Sequence, residues 1–230
     1  MNYLTHKLLN SEELEILRKN LEKESLVWED GKLTAGKHAA KEKNNLQLRR
    51  DCDLSIKFSG LITKKILSNE LIKSFALPKK IHGTIFSKST SGMKYGRHID
   101  NAYMSSGRAD LSFTVFLNCK KKYEGGALSI ESLNSEEKFK LDSGEIIIYP
   151  STYMHEVEEV LSGERLVFLG WIESYIKSIE EREYLFDLDA AARSLLAKYG
   201  RSEEVDLIFK SYSNLTFSPN SLSRSLSSFI

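Results

Sequence analysis

Three side chains of this sequence are of the right types and spacing to share one metal ion. His98 and Asp100 stand two residues apart in Tyr95-Gly96-Arg97-His98-Ile99-Asp100-Asn101, and His155 follows Asp100 by 55 residues, closing the run Tyr149-Pro150-Ser151-Thr152-Tyr153-Met154-His155. Two imidazoles and one carboxylate make the ligand set of a non-haem Fe(II) oxygenase, which leaves open coordination positions for a bidentate 2-oxo acid and dioxygen. Arg165 lies ten residues beyond His155. Inside an apolar barrel a guanidinium without an anion is costly, and its planar fork suits a terminal carboxylate. The C5 carboxylate of 2-oxoglutarate is the natural partner.

These residues need a β framework. In a strand, side chains two apart share a face, so a strand over 95–100 sends His98 and Asp100 inward and turns Arg97 and Ile99 away. His155 then begins another strand just past the proline corner. Ser162-Gly163 reads as the turn between that strand and one ending at Trp171-Ile172. For Arg165 to share the face of His155, that hairpin must have an odd loop or a bulge. Gly125-Gly126 permits a tight turn into a strand at 127–131. Arg108 and Asp110, at the start of a strand over 111–117, either reach substrate at the cavity mouth or pair with each other. Asn44 and Asn45 are candidates for substrate contact, with turn or capping roles as the alternative. His6, His38 and His82 read as structural or surface residues, although His82 precedes a strand and can approach the barrel mouth.

From residue 81 the sequence breaks into short runs rich in Ile, Phe, Val and Thr at 81–88, 95–100, 111–117, 126–131, 137–140, 145–149, 155–160 and 165–172. Eight short strands with no helices between them predict a double-sheet jelly roll, a double-stranded β-helix. Ahead of it, Ser11 caps a helix reaching about residue 24, residues 28–43 read as turn and loop, and helical periodicity over Leu54 to Leu77 predicts one long helix ended by Pro78. Behind it, residues 175–212 return to helix with Leu185, Leu188, Ala192 and Leu195 on one face, and Ser213 to Ser228 reads as loosely ordered. The expected class is α+β. Residues 1–80 form a helical support, 81–174 the jelly-roll core and 175–230 a helical extension.

The chain has 230 residues, 41% hydrophobic and 28% charged, which fits one folded domain with appendages. A formal charge of +1 gives no global attraction to nucleic acid or an anionic membrane. Cys52 and Cys119 lack zinc-type spacing and read as idle thiols. The first residues lack the apolar core of a secretory signal, and no apolar run is long enough to span a bilayer, so a cytoplasmic location is expected.

Longer segments carry a family resemblance. Trp28-Glu29-Asp30-Gly31, Thr34-Ala35-Gly36 and Lys43-Asn44-Asn45-Leu46-Gln47 are followed in order by YGRHIDNA, RADLSFTVFLN, YEGGALSIES, SGEIIIYPSTYMHEV, GERLVFLGWIES and LFDLD. Together they closely resemble the PKHD-type hydroxylases, iron(II)/2-oxoglutarate oxygenases of the prolyl-4-hydroxylase-like group. The resemblance implies that His98, Asp100 and His155 hold iron, that Arg165 holds 2-oxoglutarate, and that L-ascorbate serves as auxiliary reductant. It leaves the hydroxylated substrate, small-molecule or peptidyl, unnamed. Relatives often carry a tyrosine on the strand before the iron motif where this chain has Ser89, which turns attention to Tyr95 or Tyr149 as a second contact to the cosubstrate. Two other functions are compatible with parts of the pattern: a non-catalytic iron- or oxygen-responsive jelly roll, and assembly into a homo-oligomer through the helices after residue 175.

Overall fold

A computed structural model of the chain describes residues 3–23, 27–34, 41–132 and 135–217. Its strands are β1 (Leu4–Lys7), β2 (Trp28–Asp30), β3 (Lys43–Asn44), β4 (Leu46–Leu48), β5 (Pro78–Thr90), β6 (Lys94–His98), β7 (Tyr103–Met104), β8 (Gly107–Arg108), β9 (Leu111–Phe116), β10 (Tyr123–Gly125), β11 (Leu128–Glu131), β12 (Glu136–Phe139), β13 (Glu145–Pro150), β14 (His155–Val157) and β15 (Val160–Ser174). The helices are α1 (Ser11–Leu21), α2 (Asp53–Ser68), α3 (Glu70–Ala76), α4 (Ile179–Tyr199) and α5 (Glu203–Phe217). The major sheet runs β1-β13-β9-β15-β5-β4-β2 with β10 attached to β15, and the minor sheet runs β12-β11-β14-β6-β3. Every pairing between these strands is antiparallel.

The major sheet is covered on both faces, and its central strands therefore lack the polar alternation of a half-solvated strand. Strand β9 is buried along its whole length. On one face Phe113, Val115, Ile146, Ile148, Leu166, Phe168 and Ile172 pack with Leu14 and Leu17 of α1, Phe58, Ile62 and Ile66 of α2, and Ile72 and Phe75 of α3. The residues between them, Phe116, Ile147, Tyr149 and Val167, turn to the other face and pack with Leu128, Ile130 and Phe139 of the minor sheet. The second cluster fills part of the space between the sheets and leaves the rest to the site.

All eight expected strands are present, and the jelly-roll class with flanking helices stands. The segments ahead of the core differ from expectation. Leu4–Lys7 is a strand paired with β13, and β2 and β4 extend the far edge of the major sheet. The first 80 residues thus contribute strands as well as helices, and 28–43 is not simply loop. These pieces are two to four residues long, too short to show a period. Helix α1 ends at Leu21, and residue 24 lies outside the described residues, as do His38, Ala35-Gly36 and most of the Ser-rich tail, although residues 213–217 belong to α5.

The long helix over 54–77 is two helices. Asn69 ends α2 with an extended backbone and caps α3, its side chain accepting from the Ile72 amide at 3.0 Å. Phe58, Ile62 and Ile66 repeat every four residues, but Ile72 follows Ile66 by six, so the apolar period slips at the break, where Asn69 is a capping residue type. The helical region after 175 likewise divides at Gly200, whose φ of 77° suits glycine alone. Leu185 and Ala192 are buried as expected, but Leu195 is exposed.

Candidate active site

Between the sheets lies a cavity of about 870 Å³ lined by His98, Asp100, His155, Arg165, Tyr95 and Tyr149 together with Asn45. One ligand atom from each of His98, Asp100 and His155 lies within 4.8 Å of the others. His98 and His155 are direct cross-strand partners at the ends of β6 and β14, with ring centroids 4.3 Å apart. Each imidazole is fixed through Nδ1, which donates to the Gly96 carbonyl at 2.7 Å in one case and to the Tyr153 carbonyl at 2.9 Å in the other. A carbonyl only accepts, so Nδ1 carries the proton and Nε2 presents a lone pair. Burial and the neighbouring His155 push His98 down to about 4, which keeps it in the neutral form a metal requires.

Asp100 does not share a strand with His98, because β6 ends at His98. Its carboxylate is brought back to the imidazoles by the major sheet. Ser112 Oγ donates to Asp100 Oδ2 at 2.6 Å and Trp171 Nε1 donates to the same oxygen at 2.9 Å. Ser112 and Trp171 are register partners on β9 and β15, so one rung of the major sheet positions the carboxylate. Asp100 Oδ2 lies 3.7 Å from His155 Nε2. The expected outward turn of Arg97 is present, with Arg97 paired to Glu131 at the surface.

Arg165 reaches the cavity by a different route from the one the sequence suggests. Ser162-Gly163 is not a turn; it lies within β15, and at Glu158-Glu159 the chain passes from the minor sheet to the major one without reversing, its antiparallel ladder with β10 and β11 running on through both strands. Strands β14 and β15 do not pair, and they belong to opposite sheets whose inner faces look at each other. The parity argument for a hairpin therefore does not apply, although the register of β15 against β10 does shift at Leu161. Arg165 is 3% exposed, and among the described residues no carboxylate lies within ion-pair distance and Nε has no hydrogen-bond partner. Its guanidinium lies 5.5 Å from the Phe116 ring centre. A buried, always-charged group without a counter-ion is a demand for an anion.

Other expected residues divide. Tyr95 stacks on His98 with centroids 3.6 Å apart, and Tyr149 meets His155 edge-on at 5.3 Å. Burial pushes the Tyr149 phenol up, and Asp100 adds to the effect. Ser89 is the register partner of Arg165 and lines the cavity. Asn45 lines the cavity, whereas Asn44 is exposed and its amide donates to the Gly92 carbonyl at 3.3 Å. Arg108 does not line the cavity. It pairs with Asp110 at 2.8 Å and donates to the Ser174 carbonyl at 2.8 Å, which ties β8 to the end of β15. His82 holds the β7–β8 hairpin, contacting Ser106 Oγ at 2.8 Å and the Arg108 carbonyl at 2.9 Å.

Sequence reasoning passed over Ser112, Trp171, Lys43 and Gln47. Ser112 and Trp171 had a usable signal, since each breaks an apolar strand with a hydrogen-bonding group. Gly125 and Gly126 are more than a plain turn: both have positive φ, and a Cβ on Gly126 would meet Val160 Cγ2 at 2.9 Å and Arg165 Cδ at 3.2 Å.

The comparisons agree with this geometry. Residues 84–173 match the 2OG-Fe(II) oxygenase superfamily. Among solved structures, a prolyl-4-hydroxylase of Pseudomonas putida superposes with a TM-score of 0.53 at 16% identity over 75% of this chain and 92% of that one. HygX of Streptomyces hygroscopicus, solved with nickel, 2-oxoglutarate and hygromycin B bound, gives 0.52 at 12% identity over 75% of this chain and 83% of that one. At such identities the likeness is one of fold. The chain is an Fe(II)- and 2-oxoglutarate-dependent dioxygenase. A PKHD-type hydroxylase of Prochlorococcus marinus (strain MIT 9215) is 74% identical over 215 residues, which is 94% of this chain and 97% of that protein. A second, from strain MIT 9515, is 68% identical over the same shares. The chain belongs to the PKHD-type hydroxylases.

Proposed function

We propose that His98, Asp100 and His155 are the iron ligands, and that Arg165 receives the C5 carboxylate of 2-oxoglutarate. The observation that carries this reading is the convergence of the three ligand atoms within 4.8 Å, with both histidines held in the tautomer that offers Nε2. When bound, Fe(II) with 2-oxoglutarate and dioxygen supplies the oxidising power that no side chain here has, hydroxylating the substrate with release of succinate and carbon dioxide. The side chains supply position. Trp171 and Ser112 orient the Asp100 carboxylate, a positioning role that raises the precision of the ligand set. Arg165 neutralises the far carboxylate of the cosubstrate at a depth where water cannot. Ser89 lies beside Arg165 and leaves room that a larger side chain would take. Tyr95 shields His98 from solvent, and Tyr149 stands beside His155 with its phenol held neutral by burial, fitted to donate to an anion.

His98→Ala and His155→Ala should each abolish Fe(II)-dependent succinate formation and ferrous uptake by folded protein. Undiminished turnover in either variant would sink the ligand assignment. The reading extends to L-ascorbate as auxiliary reductant, a role supported by the family resemblance, and ascorbate should lengthen the linear phase of turnover. Among the described residues no helix is long and apolar enough to cross a membrane. That fits the cytoplasmic location proposed, where a reducing environment keeps Fe(II) available, and the low formal charge of +1 fits a partner other than nucleic acid.

A further inference from the structure

The segment of β3 and β4 crosses from one sheet to the other. Strand β3 pairs with β6 of the minor sheet, and two residues later β4 pairs with β5 of the major sheet. Along this strap Lys43, Asn45 and Gln47 all line the cavity and are 6%, 6% and 4% exposed. Their polar atoms are under-satisfied. Lys43 Nζ donates to Thr34 Oγ1 at 3.2 Å and lies 4.9 Å over the Tyr95 ring, but among the described residues no carboxylate lies within ion-pair distance. Among the described residues Asn45 Oδ1 and Gln47 Nε2 have no hydrogen-bond partner, but both atoms are sealed from the cavity, Asn45 Oδ1 against Gly31, while Asn45 Nδ2 donates to Ser87 Oγ at 2.6 Å and Gln47 Oε1 accepts from Thr34 Oγ1 at 2.6 Å. Arg50 stands at the rim of the same cavity, its nearest polar contact the Gly83 carbonyl at 3.5 Å.

A buried cation left without a counter-ion is costly, and on a cavity wall it marks where an anion belongs. The cosubstrate does not account for it. One carboxylate of 2-oxoglutarate chelates the metal and the other is matched by Arg165, whose charge is felt at Tyr123 and Tyr149. Lys43 stands elsewhere on the wall: its ammonium lies 4.9 Å over the ring of Tyr95, its register partner on β6, whereas Arg165 lies beside Phe116 and is the register partner of Ser89 on β5. Two cationic poles therefore flank the ligand triad, and one is spare. The spare pole has its donors in Lys43 and Arg50. Leu128, Met154 and Val157 line the same cavity and suit an aliphatic stem.

Resting on the oxygenase reading above, we infer that Lys43 and Arg50 form the anchor of the primary substrate, which is a small carboxylic acid. The carboxylate docks on Lys43 and Arg50. The anchored end fixes the register of the stem, so the strap determines which carbon is hydroxylated.

The test uses the Fe(II)-loaded enzyme, with a methanol extract of cell metabolites as probe. The extract is split on a strong anion exchanger at neutral pH, and part of the retained fraction is treated with carbodiimide and methylamine, which converts carboxylates to amides and leaves phosphates intact. Succinate formation without extract tests the oxygenase reading by itself; its absence would defeat that reading. The retained fraction should stimulate succinate formation, and the amidated portion should not. In Lys43→Met the amount of fraction needed for half-maximal stimulation should rise about tenfold, the loss expected of one charge-assisted contact. Calorimetric affinity for 2-oxoglutarate under anaerobic conditions should stay within about threefold of the parent, and Lys43→Arg should restore part of the stimulation. Melting temperatures establish that both variants fold, and methionine removes an unpaired buried charge at nearly constant shape. Stimulation confined to the unretained fraction, stimulation by neither fraction, or stimulation that survives amidation would overturn the inference. So would a Lys43→Met variant that stimulates normally or that loses 2-oxoglutarate instead.

Discussion

Arg165 and Lys43 are two buried cations with opposite expected behaviour on substitution. In the proposed assignment Arg165→Ala removes one charge-assisted pair and leaves the metal chelate, so the Michaelis constant for 2-oxoglutarate should rise by about 10- to 100-fold, more than the turnover number falls. An unchanged constant would remove Arg165 from the cosubstrate site. For Lys43, burial lowers the folded-state value to about 8 from an ordinary 10.5. Between these two values the unfolded chain holds the proton and the folded chain does not. Stability should therefore rise with pH across that window, and below it the buried ammonium is a full penalty. Denaturant titrations of the ligand-free protein at pH 7.5 and 10 would show this gain, and Lys43→Met should lack it. That His98, Asp100 and His155 converge was legible in the sequence, because chemistry limits which residue types can share a metal ion. Ser112 and Trp171 carried a weaker signal, each a hydrogen-bonding group in an apolar strand, and Lys43 carried none, since a lysine in a short strand has an ordinary structural explanation until a register sets it beside a cavity.

At the scale of elements, the eight core strands could be read from β-branched and aromatic runs, but which sheet each joins could not. The misread reversal at Ser162-Gly163 shows why: a Ser-Gly pair is a turn signal, yet here it continues a strand of 15 residues paired with β10. The adjacent glycine pair carries a real constraint. Gly126 has φ +62 and no room for a Cβ beside Val160 and Arg165. Gly126→Ala should cost about 1–2 kcal/mol in unfolding free energy and also weaken 2-oxoglutarate binding, because the methyl group pushes on the Arg165 stem. A variant that loses stability alone would show that Arg165 tolerates displacement. The break between α2 and α3 makes a simpler prediction: Asn69→Ala should cost about 1 kcal/mol by removing the cap, measured by denaturant midpoint with unchanged slope.

In the whole molecule, the C-terminal helices are fastened to the N-terminal ones and only indirectly to the site. Asp189 of α4 accepts from Ser74 of α3 at 2.7 Å and from Arg193 at 2.8 Å, and Phe186 packs edge-on to Phe75 at 5.7 Å. Asp189→Ala strands Ser74 and should lower stability by about 1–3 kcal/mol while leaving ferrous affinity intact, as calorimetry on the folded variant would register. Leu195, Leu196, Tyr199 and Leu207 remain exposed on α4 and α5. That surface supports the proposed homo-oligomer, and light scattering coupled to size exclusion would give its mass.

The indole of Trp171 donates to Asp100 at 2.9 Å, and the chain has only two tryptophans. Trp28, the other, sits on the outer edge of the major sheet. A Trp28→Phe protein would thus carry a single indole, hydrogen-bonded to the carboxylate proposed to bind iron. Its emission should dim as ferrous ion is added without oxygen, which turns the enzyme into its own optical gauge of metal loading before any substrate is known.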